Sequence, residues 1–211
     1  IAEIARRGHE VASHGYAHEL LYDIGPERFR DDLRRARAVL EDAAGEAVLG
    51  YRAPSFSITE RALDILAEEG YRFDSSYFPS GSHDRYAKLP PDLFEAPGAL
   101  SPPFRTTLAN GLVELSIPVL ELFGKALPWG GGGYFRLYPP RLFRRGLRKA
   151  AEQHGGALFY LHPWEVDPEQ PRVQGIRKSY AFRHYVNLSR TAERLRSLCE
   201  EFRFTSCADV V

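Results

Sequence analysis

Two histidines separated by three residues are the clearest chemical feature of the sequence. His14 and His18 belong to the segment Ser-His-Gly-Tyr-Ala-His, which follows residues 8–12, a stretch typical of a strand that runs into a turn. If one helical turn follows the strand, both side chains lie on the same face. Neutral imidazoles placed in this way can hold one divalent ion, and zinc suits such nitrogen ligands. Surface or capping histidines would give the same spacing, so the pair alone leaves both interpretations open.

Composition excludes several classes of protein. The 211 residues include 28 basic and 28 acidic side chains, a balance that gives no indication of nucleic acid or an anionic membrane as partner. A hydrophobic share of 44% suits a globular chain, and the length predicts a single domain over residues 1–211. No apolar run approaches the roughly 20 residues of a transmembrane helix. Cys199 and Cys207 have neither metal-site nor disulfide-framework spacing and are interpreted as free thiols.

The first residues predict that the sequence starts inside a longer fold. It begins with Ile1, contains no methionine, and its residues 1–8 are typical of the end of a helix with Gly8 as the stop. We therefore expect a preceding segment, and with it any signal peptide or anchor, outside these residues. A bacterial cytoplasmic location and an envelope-associated one both stay open.

Strands and helices alternate along the first third of the chain. The predicted elements are strands at 9–13, 48–52 and 71–73, a helix from Pro26 to about Gly45, and a helix capped by Ser57 that ends before Gly70. This alternation predicts parallel β–α units, in which functional side chains collect at the carboxyl ends of the strands. His14, Arg52 and Asp74 all follow predicted strands.

The remaining two thirds of the chain is less regular. Asn110-Gly111 predicts a hairpin turn, and the glycine run 130–133 lacks the spacing of a phosphate-binding loop, which favours a flexible rim with aromatic side chains. The other predicted segments are a long loop at 77–103, a basic helix at 141–154, an apolar strand at 156–161, a basic aromatic loop at 172–185 and a helix at 189–201. His9, His83, His154 and His184 carry no motif and are interpreted as structural.

The polar segments at the strand ends together resemble the polysaccharide deacetylase family, the NodB-homology carbohydrate esterases. SHGYAH is similar to that family's metal-binding His-x-x-x-His segment, YRAPSF to its Arg-x-Pro segment, and LHP to its late Leu-His segment. GYRAPSFSI, FDSS, GGGGYFRLYP and YLHPWEVDP resemble, more narrowly, a bacterial subgroup that accompanies exopolysaccharide and exosortase gene clusters and carries a C-terminal extension. The resemblance spans nearly the whole chain.

The resemblance implies an α/β fold, a distorted (β/α) barrel of about seven strands, seen here without its first one or two. Residues 77–135 and 163–185 would be loops and an extension specific to the subgroup. A divalent metal, usually zinc, would be held by an aspartate and by His14 and His18. The aspartate and a neighbouring general base belong to a segment that this sequence lacks; Asp31-Asp32, inside a helix, is no substitute, so the resemblance places that segment before Ile1.

The resemblance also implies roles for the other polar residues. His162 would protonate the leaving amine, Arg52 would orient the base or steady the oxyanion, and Asp74 would hold and tune His162. Each residue has a structural alternative: His162 could be a structural histidine at a strand end, Arg52 could form a surface ion pair, and Asp74 could cap the turn. Sugar contacts are assigned to Phe56, Tyr134, Trp164 and Glu165, although the aromatic residues would also suit core packing and Glu165 could pair with an arginine of the basic loop.

These assignments predict a metal-dependent hydrolase that removes N-acetyl groups from amino sugars of a bacterial polysaccharide or its precursor, in exopolysaccharide biosynthesis. Its partner would be an N-acetylated polysaccharide or oligosaccharide, with no nucleic acid. A catalytically inactive carbohydrate-binding or assembly protein and an amidohydrolase of small amides are the alternatives. Because one metal ligand and the base are absent from the sequence, we expect this chain by itself to bind metal weakly and to turn over poorly.

Overall fold

The computed structural model describes residues 1–79, 89–94 and 100–211, which form two compact units. The first unit comprises residues 1–117 and 205–211, and the second comprises residues 118–204. His83 and part of the long loop predicted at 77–103 lie outside the described residues. The single domain predicted over the whole chain stays a prediction.

The first unit is built on a mixed sheet. Its strands are β1 (Gly50–Tyr51), β2 (Phe73–Asp74), β3 (Arg105–Thr107) and β4 (Val113–Leu115), in the order β1-β2-β4-β3. β1, β2 and β4 run parallel, and β3 pairs antiparallel with β4 through the predicted turn at Asn110-Gly111. The predicted first strand is reduced to Ser13, which forms a parallel bridge with Tyr51. The predicted α/β class and the parallel order of the early strands are confirmed.

The described part of the first unit contains three α-helices: α1 (Ala2–Arg6), α2 (Pro26–Ala44) and α3 (Glu60–Glu68). α2 ends just before Gly45, as predicted, and Gly45 adopts the left-handed conformation. α3 starts differently from the prediction, because the hydroxyl of Thr59 accepts the N–H of Ala62 at 3.1 Å. The predicted cap Ser57 lies in the turn after Pro54, is buried, and donates its hydroxyl hydrogen to the Pro54 carbonyl.

Apolar faces of α2 and α3 form the core of the first unit together with residues of β1 and of the turn before β4. The buried members include Phe29, Leu33, Tyr51, Leu63, Leu66 and Leu112. Gly50 of β1 leaves room for the ring of Phe73 on β2, because a Cβ at this position would lie 2.1 Å from that ring. Close packing here fixes the strand ends that carry the polar residues.

The second unit combines a hairpin with four helices. Its elements are β5 (Val119–Leu122), β6 (Lys125–Pro128), α4 (Gly132–Leu137), α5 (Pro140–His154), α6 (Lys178–Tyr185) and α7 (Thr191–Glu201). α5 and α7 confirm the predicted helices, and their apolar faces bury Phe143, Leu147 and Leu198 against Trp129. The predicted basic loop is wrong over 178–185, where the chain forms α6.

The glycine run serves close backbone packing. Gly130, Gly131 and Gly132 are buried, and the segment exchanges hydrogen bonds with the backbone of Tyr160 at 2.9 and 3.0 Å. A Cβ at Gly131, whose φ is +136°, would lie 2.0 Å from the carbonyl oxygen of Tyr160. The predicted flexible rim is therefore wrong, and the strand predicted at 156–161 is reduced to this one bridge.

Within the described ranges, no helix is long and apolar enough to cross a membrane. Cys199 and Cys207 are free thiols, as predicted.

Candidate active site

The two histidines of the opening motif lie against each other. Their ring centroids are 5.0 Å apart in an edge-to-face arrangement, and both side chains are exposed. The predicted helical turn is wrong: the chain leaves the bridge at Ser13, bends at residues 16–17, and places His18 at a φ of +55°. A loop, rather than a helix face, brings His14 and His18 together.

Asp32 of α2 holds this loop. Its two carboxylate oxygens accept the backbone N–H groups of Tyr16 and Ala17, each at 2.8 Å. Gly15 makes room for the contact, because a Cβ there would lie 2.9 Å from Oδ2 of Asp32. The sequence indicates only that Asp32 lies inside a helix, and nothing in the helical pattern distinguishes it from the exposed Asp31.

His14 makes a hydrogen bond that fixes its tautomer. Its Nδ1 lies 2.6 Å from the carbonyl oxygen of Arg52. Because a carbonyl oxygen can only accept, Nδ1 carries the proton and Nε2 keeps its lone pair. Histidines that bind metals usually donate their second ring nitrogen in this way, so the arrangement suits a ligand role for His14.

The side chain of Arg52 ties the end of β1 to the residues after β2. Its Nε donates to the Ser75 carbonyl and a terminal nitrogen donates to the Ser75 hydroxyl, both at 2.7 Å. The Ser75 hydroxyl in turn donates to the Leu115 carbonyl at 2.7 Å. These bonds hold Arg52 in place, while its predicted role toward a carboxylate base or an oxyanion stays a prediction.

Asp74 and Glu114 are neighbours on paired strands, and both are 0% exposed. Asp74 accepts the N–H of Ser76 at 3.0 Å and the Ser76 hydroxyl at 2.7 Å. Glu114 accepts the N–H groups of Ser76 and Tyr77 through Oε1, at 3.1 and 2.9 Å. The pair thus closes the turn that follows β2.

Burial and mutual repulsion favour one proton on this pair of carboxyl groups. Burial, and then the charge of Asp74, raise the pKa of Glu114 well above its usual value, and burial also raises the pKa of Asp74 although hydrogen bonds from Glu114 and Ser76 oppose it. Oε1 of Glu114 accepts the two N–H groups of the turn, whereas Oε2 accepts no hydrogen bond from the described residues. Sequence analysis missed Glu114; an acid between two apolar residues of a central strand was the available signal.

The described residues supply part of the metal site that the resemblance implies. Two imidazoles in contact, one with its Nδ1 already bonded, suit two ligand positions. The described residues contain no group of three His, Cys, Asp or Glu side chains that could hold an ion. A third ligand is therefore not supplied by the part of the chain that the structure covers.

In the second unit, His162 contacts the buried carboxylate of Glu165. Oε1 of Glu165 accepts the backbone N–H of His162 at 2.9 Å and lies 3.1 Å from its Nδ1. Oε2 accepts Nε of the buried Arg136 at 2.8 Å. Burial alone would raise the pKa of Glu165, but the hydrogen bonds from His162 and Arg136 outweigh it and hold that pKa below the usual range.

Glu165 is therefore not placed as a sugar ligand. Its side chain is 1% exposed, and both oxygens are engaged by protein donors. The arginine that pairs with it is Arg136 of α4 rather than one from residues 172–185, and sequence analysis missed it. The prediction that His162 shares one cavity with His14 and His18 joins residues of the two units and stays a prediction, as does the pairing of His162 with Asp74.

The aromatic residues assigned to sugar contacts are largely used in packing. Phe56 is 9% exposed and packs edge-to-face with Phe78. His184 stacks on Trp164 with centroids 4.2 Å apart and an angle of 11°. Tyr134 is half-buried, with its ring 5.9 Å from that of Tyr138. For these three residues a stacking role toward sugars stays a prediction.

Two family models match the chain. Residues 1–73 match the model described as polysaccharide deacetylase, and residues 75–211 match the model described as a domain of unknown function (DUF3473). Fold and site together define an α/β protein in which a pair of histidines follows the first strand segment. Residues 75–211, the larger part of the chain, belong to the family of the domain of unknown function (DUF3473), and residues 1–73 are similar to the polysaccharide deacetylase family.

Known proteins resemble parts of the chain. It is 32% identical over 73 residues to a peptidoglycan deacetylase-like protein of Gibberella zeae, covering 35% of this chain and 22% of that one. It is 32% identical over 86 residues to a peptidoglycan deacetylase of Helicobacter pylori, covering 41% and 29%. The chain thus spans less than a third of either relative. The crystal structure of Puue allantoinase has a similar fold, with a TM-score of 0.50 at 15% identity over 99% of this chain and 60% of that one.

The hold of Asp32 on the histidine loop can be tested with an amide in its place. In Asp32→Asn only one side-chain oxygen remains to accept, so one of the two N–H groups loses its acceptor and the other keeps only a neutral one. We expect the free energy of unfolding to fall by about 1 kcal/mol and the amides of Tyr16 and Ala17 to exchange about tenfold faster. Asp31→Asn, on the same helix turn and exposed, is the matched control; equal exchange in the two variants would contradict the assignment.

The shared proton predicts how stability depends on pH. Because the folded state keeps a proton that the unfolded chain releases above about pH 4, the wild type loses stability as pH rises through the folded pKa, by about 1.4 kcal/mol for each unit by which the pKa is raised. Glu114→Gln can accept and donate at the same positions without ionising. We expect urea unfolding at pH 5 and pH 8 to show a smaller loss in this variant.

The exposed Glu46→Gln serves as the control and should keep the wild-type dependence. Identical losses of stability in wild type and Glu114→Gln would rule out a proton on this pair.

Proposed function

We propose that the chain is part of a metal-dependent hydrolase that removes N-acetyl groups from amino sugars of a bacterial polysaccharide or its precursor, in exopolysaccharide biosynthesis. The similarity of residues 1–73 to the polysaccharide deacetylase family supports the reaction class. The observation that carries the proposal is the contact between His14 and His18, with Nδ1 of His14 bonded to the Arg52 carbonyl. Few structural needs would place two exposed imidazoles together in this way.

In this proposal His14 and His18 hold a divalent ion, with zinc as the expected metal. When bound, such an ion supplies Lewis acidity toward an amide carbonyl and toward water. Asp32 and the Arg52 carbonyl keep the two imidazoles in place for it. Arg52 is fixed by Ser75 before any substrate arrives, so its guanidinium requires little reorganisation to face a developing charge.

Hydrolysis of an amide also needs an acid, because an amide anion is a poor leaving group. His162 is the proposed donor to the leaving amine, since imidazole exchanges protons near neutral pH. The substrate would be an N-acetylated polysaccharide or oligosaccharide, the class on which the family acts. A role in exopolysaccharide biosynthesis follows from the subgroup that GGGGYFRLYP and YLHPWEVDP resemble.

The proposal is tested on the protein expressed from its complete reading frame. We expect bound zinc by metal analysis and release of acetate from N-acetylated oligosaccharides. His14→Ala should lose zinc affinity and reduce acetate release by about 100-fold or more, since even partners of metal ligands contribute 10- to 100-fold. His9→Ala, an exposed histidine nearby with no assigned role, is the control.

Acetate release at the wild-type rate by His14→Ala would refute the metal assignment. Sugar binding without acetate release by the zinc-loaded wild type would favour a carbohydrate-binding protein. Turnover of small amides alone would favour an amidohydrolase of that kind.

A further inference from the structure

Within the second unit, the carboxylate that contacts His162 is Glu165. We propose that Glu165, held by Arg136, is the positioning residue that fixes the proton and the charge of His162 for the general-acid step. The inference rests on the proposed function for the step itself, whereas the contacts among the three side chains are independent of it.

Glu165 determines which ring nitrogen of His162 carries the proton. Oε1 accepts the backbone N–H at 2.9 Å and lies 3.1 Å from Nδ1. An ionised carboxylate can only accept, so the hydrogen between these atoms belongs to Nδ1. Nε2 is then the nitrogen that exchanges a proton with substrate, on a side chain that is 55% exposed while that of Glu165 is 1% exposed.

Arg136 determines how the carboxylate of Glu165 is oriented. Its side chain is 2% exposed, and its terminal nitrogens donate to the carbonyls of Arg183, His184 and Val186 at 2.8 to 3.1 Å. Its Nε therefore points at Oε2 of Glu165 and cannot turn away. With Oε2 taken, Oε1 must face His162. Hydrogen bonds from four of the five guanidinium N–H groups make this buried ion pair tolerable.

The negative charge also suits the proposed reaction. A carboxylate on Nδ1–H stabilises the imidazolium that exists while Nε2 carries a second proton. That proton passes to the amide nitrogen as the bond between carbon and nitrogen breaks, leaving neutral His162 with its hydrogen on Nδ1. The proton released by the attacking water restores the imidazolium, so amide and water give acetate and amine in balance.

The substitution Glu165→Gln should change the tautomer of His162 in a defined direction. Arg136 has no acceptor, so the oxygen of the new amide must face Arg136 and its NH₂ must face His162. Nδ1 then has to accept, and the hydrogen of the neutral ring moves to Nε2. We expect nitrogen-15 NMR of His162 to report this change of tautomer, and kcat for acetate release to fall by about 10²- to 10⁴-fold with little change in KM.

Glu201→Gln is the matched control, because Glu201 pairs with Arg144 and Arg148 of the same unit. It should keep the wild-type tautomer of His162 and the wild-type kcat. Wild-type kcat in a folded Glu165→Gln protein would overturn the inference, as would a wild-type His162 whose neutral form carries its hydrogen on Nε2.

The NMR measurement on the wild type decides the tautomer even if Glu165→Gln does not fold. If the zinc-loaded wild type releases no acetate, the proposed function fails, while the tautomer still tests the role of Glu165.

Discussion

Two carboxyl groups that lie side by side without solvent cannot both stay ionised, and the first unit depends on how Asp74 and Glu114 meet this constraint. One shared proton leaves a single negative charge, which the N–H groups and hydroxyl of the turn after β2 can satisfy. The turn is thereby fixed from inside the sheet. Parallel pairing of β2 with β4 produces the contact, because it places Asp74 opposite Glu114.

A short series of hydrogen bonds connects this buried pair to the exposed His14. The turn that the pair closes contains Ser75, whose carbonyl and hydroxyl hold the guanidinium of Arg52. The backbone carbonyl of Arg52 then accepts the Nδ1 hydrogen of His14. A polar group of the core thus contributes to the position of a surface imidazole, which is the kind of support that a metal ligand requires.

The sequence predicts the parts of this arrangement that depend on local spacing. The apolar positions of α2 and the Asn-Gly turn before β4 identify their elements correctly. The His-x-x-x-His spacing indicates that the two imidazoles lie together, although a loop and not a helical turn joins them. Asp32 could not be identified, because its role follows from where α2 packs and not from its neighbours in sequence. The glycine run was wrongly predicted to be a flexible rim, because its role also depends on a distant part of the chain. Gly131 is needed for the close approach of Tyr160, which is 29 residues away in the sequence.

Nδ1 of His14 and Nδ1 of His162 donate to different kinds of acceptor, and each kind of acceptor suits a different chemical role. His14 donates to a neutral backbone carbonyl, which fixes the tautomer of the neutral ring. Nδ1 of His162 lies 3.1 Å from an oxygen of a buried carboxylate, an acceptor that carries a full negative charge. A metal ligand has to be neutral and a general acid has to be protonated, so the acceptors bonded to Nδ1 separate the two roles more sharply than the sequence motifs do.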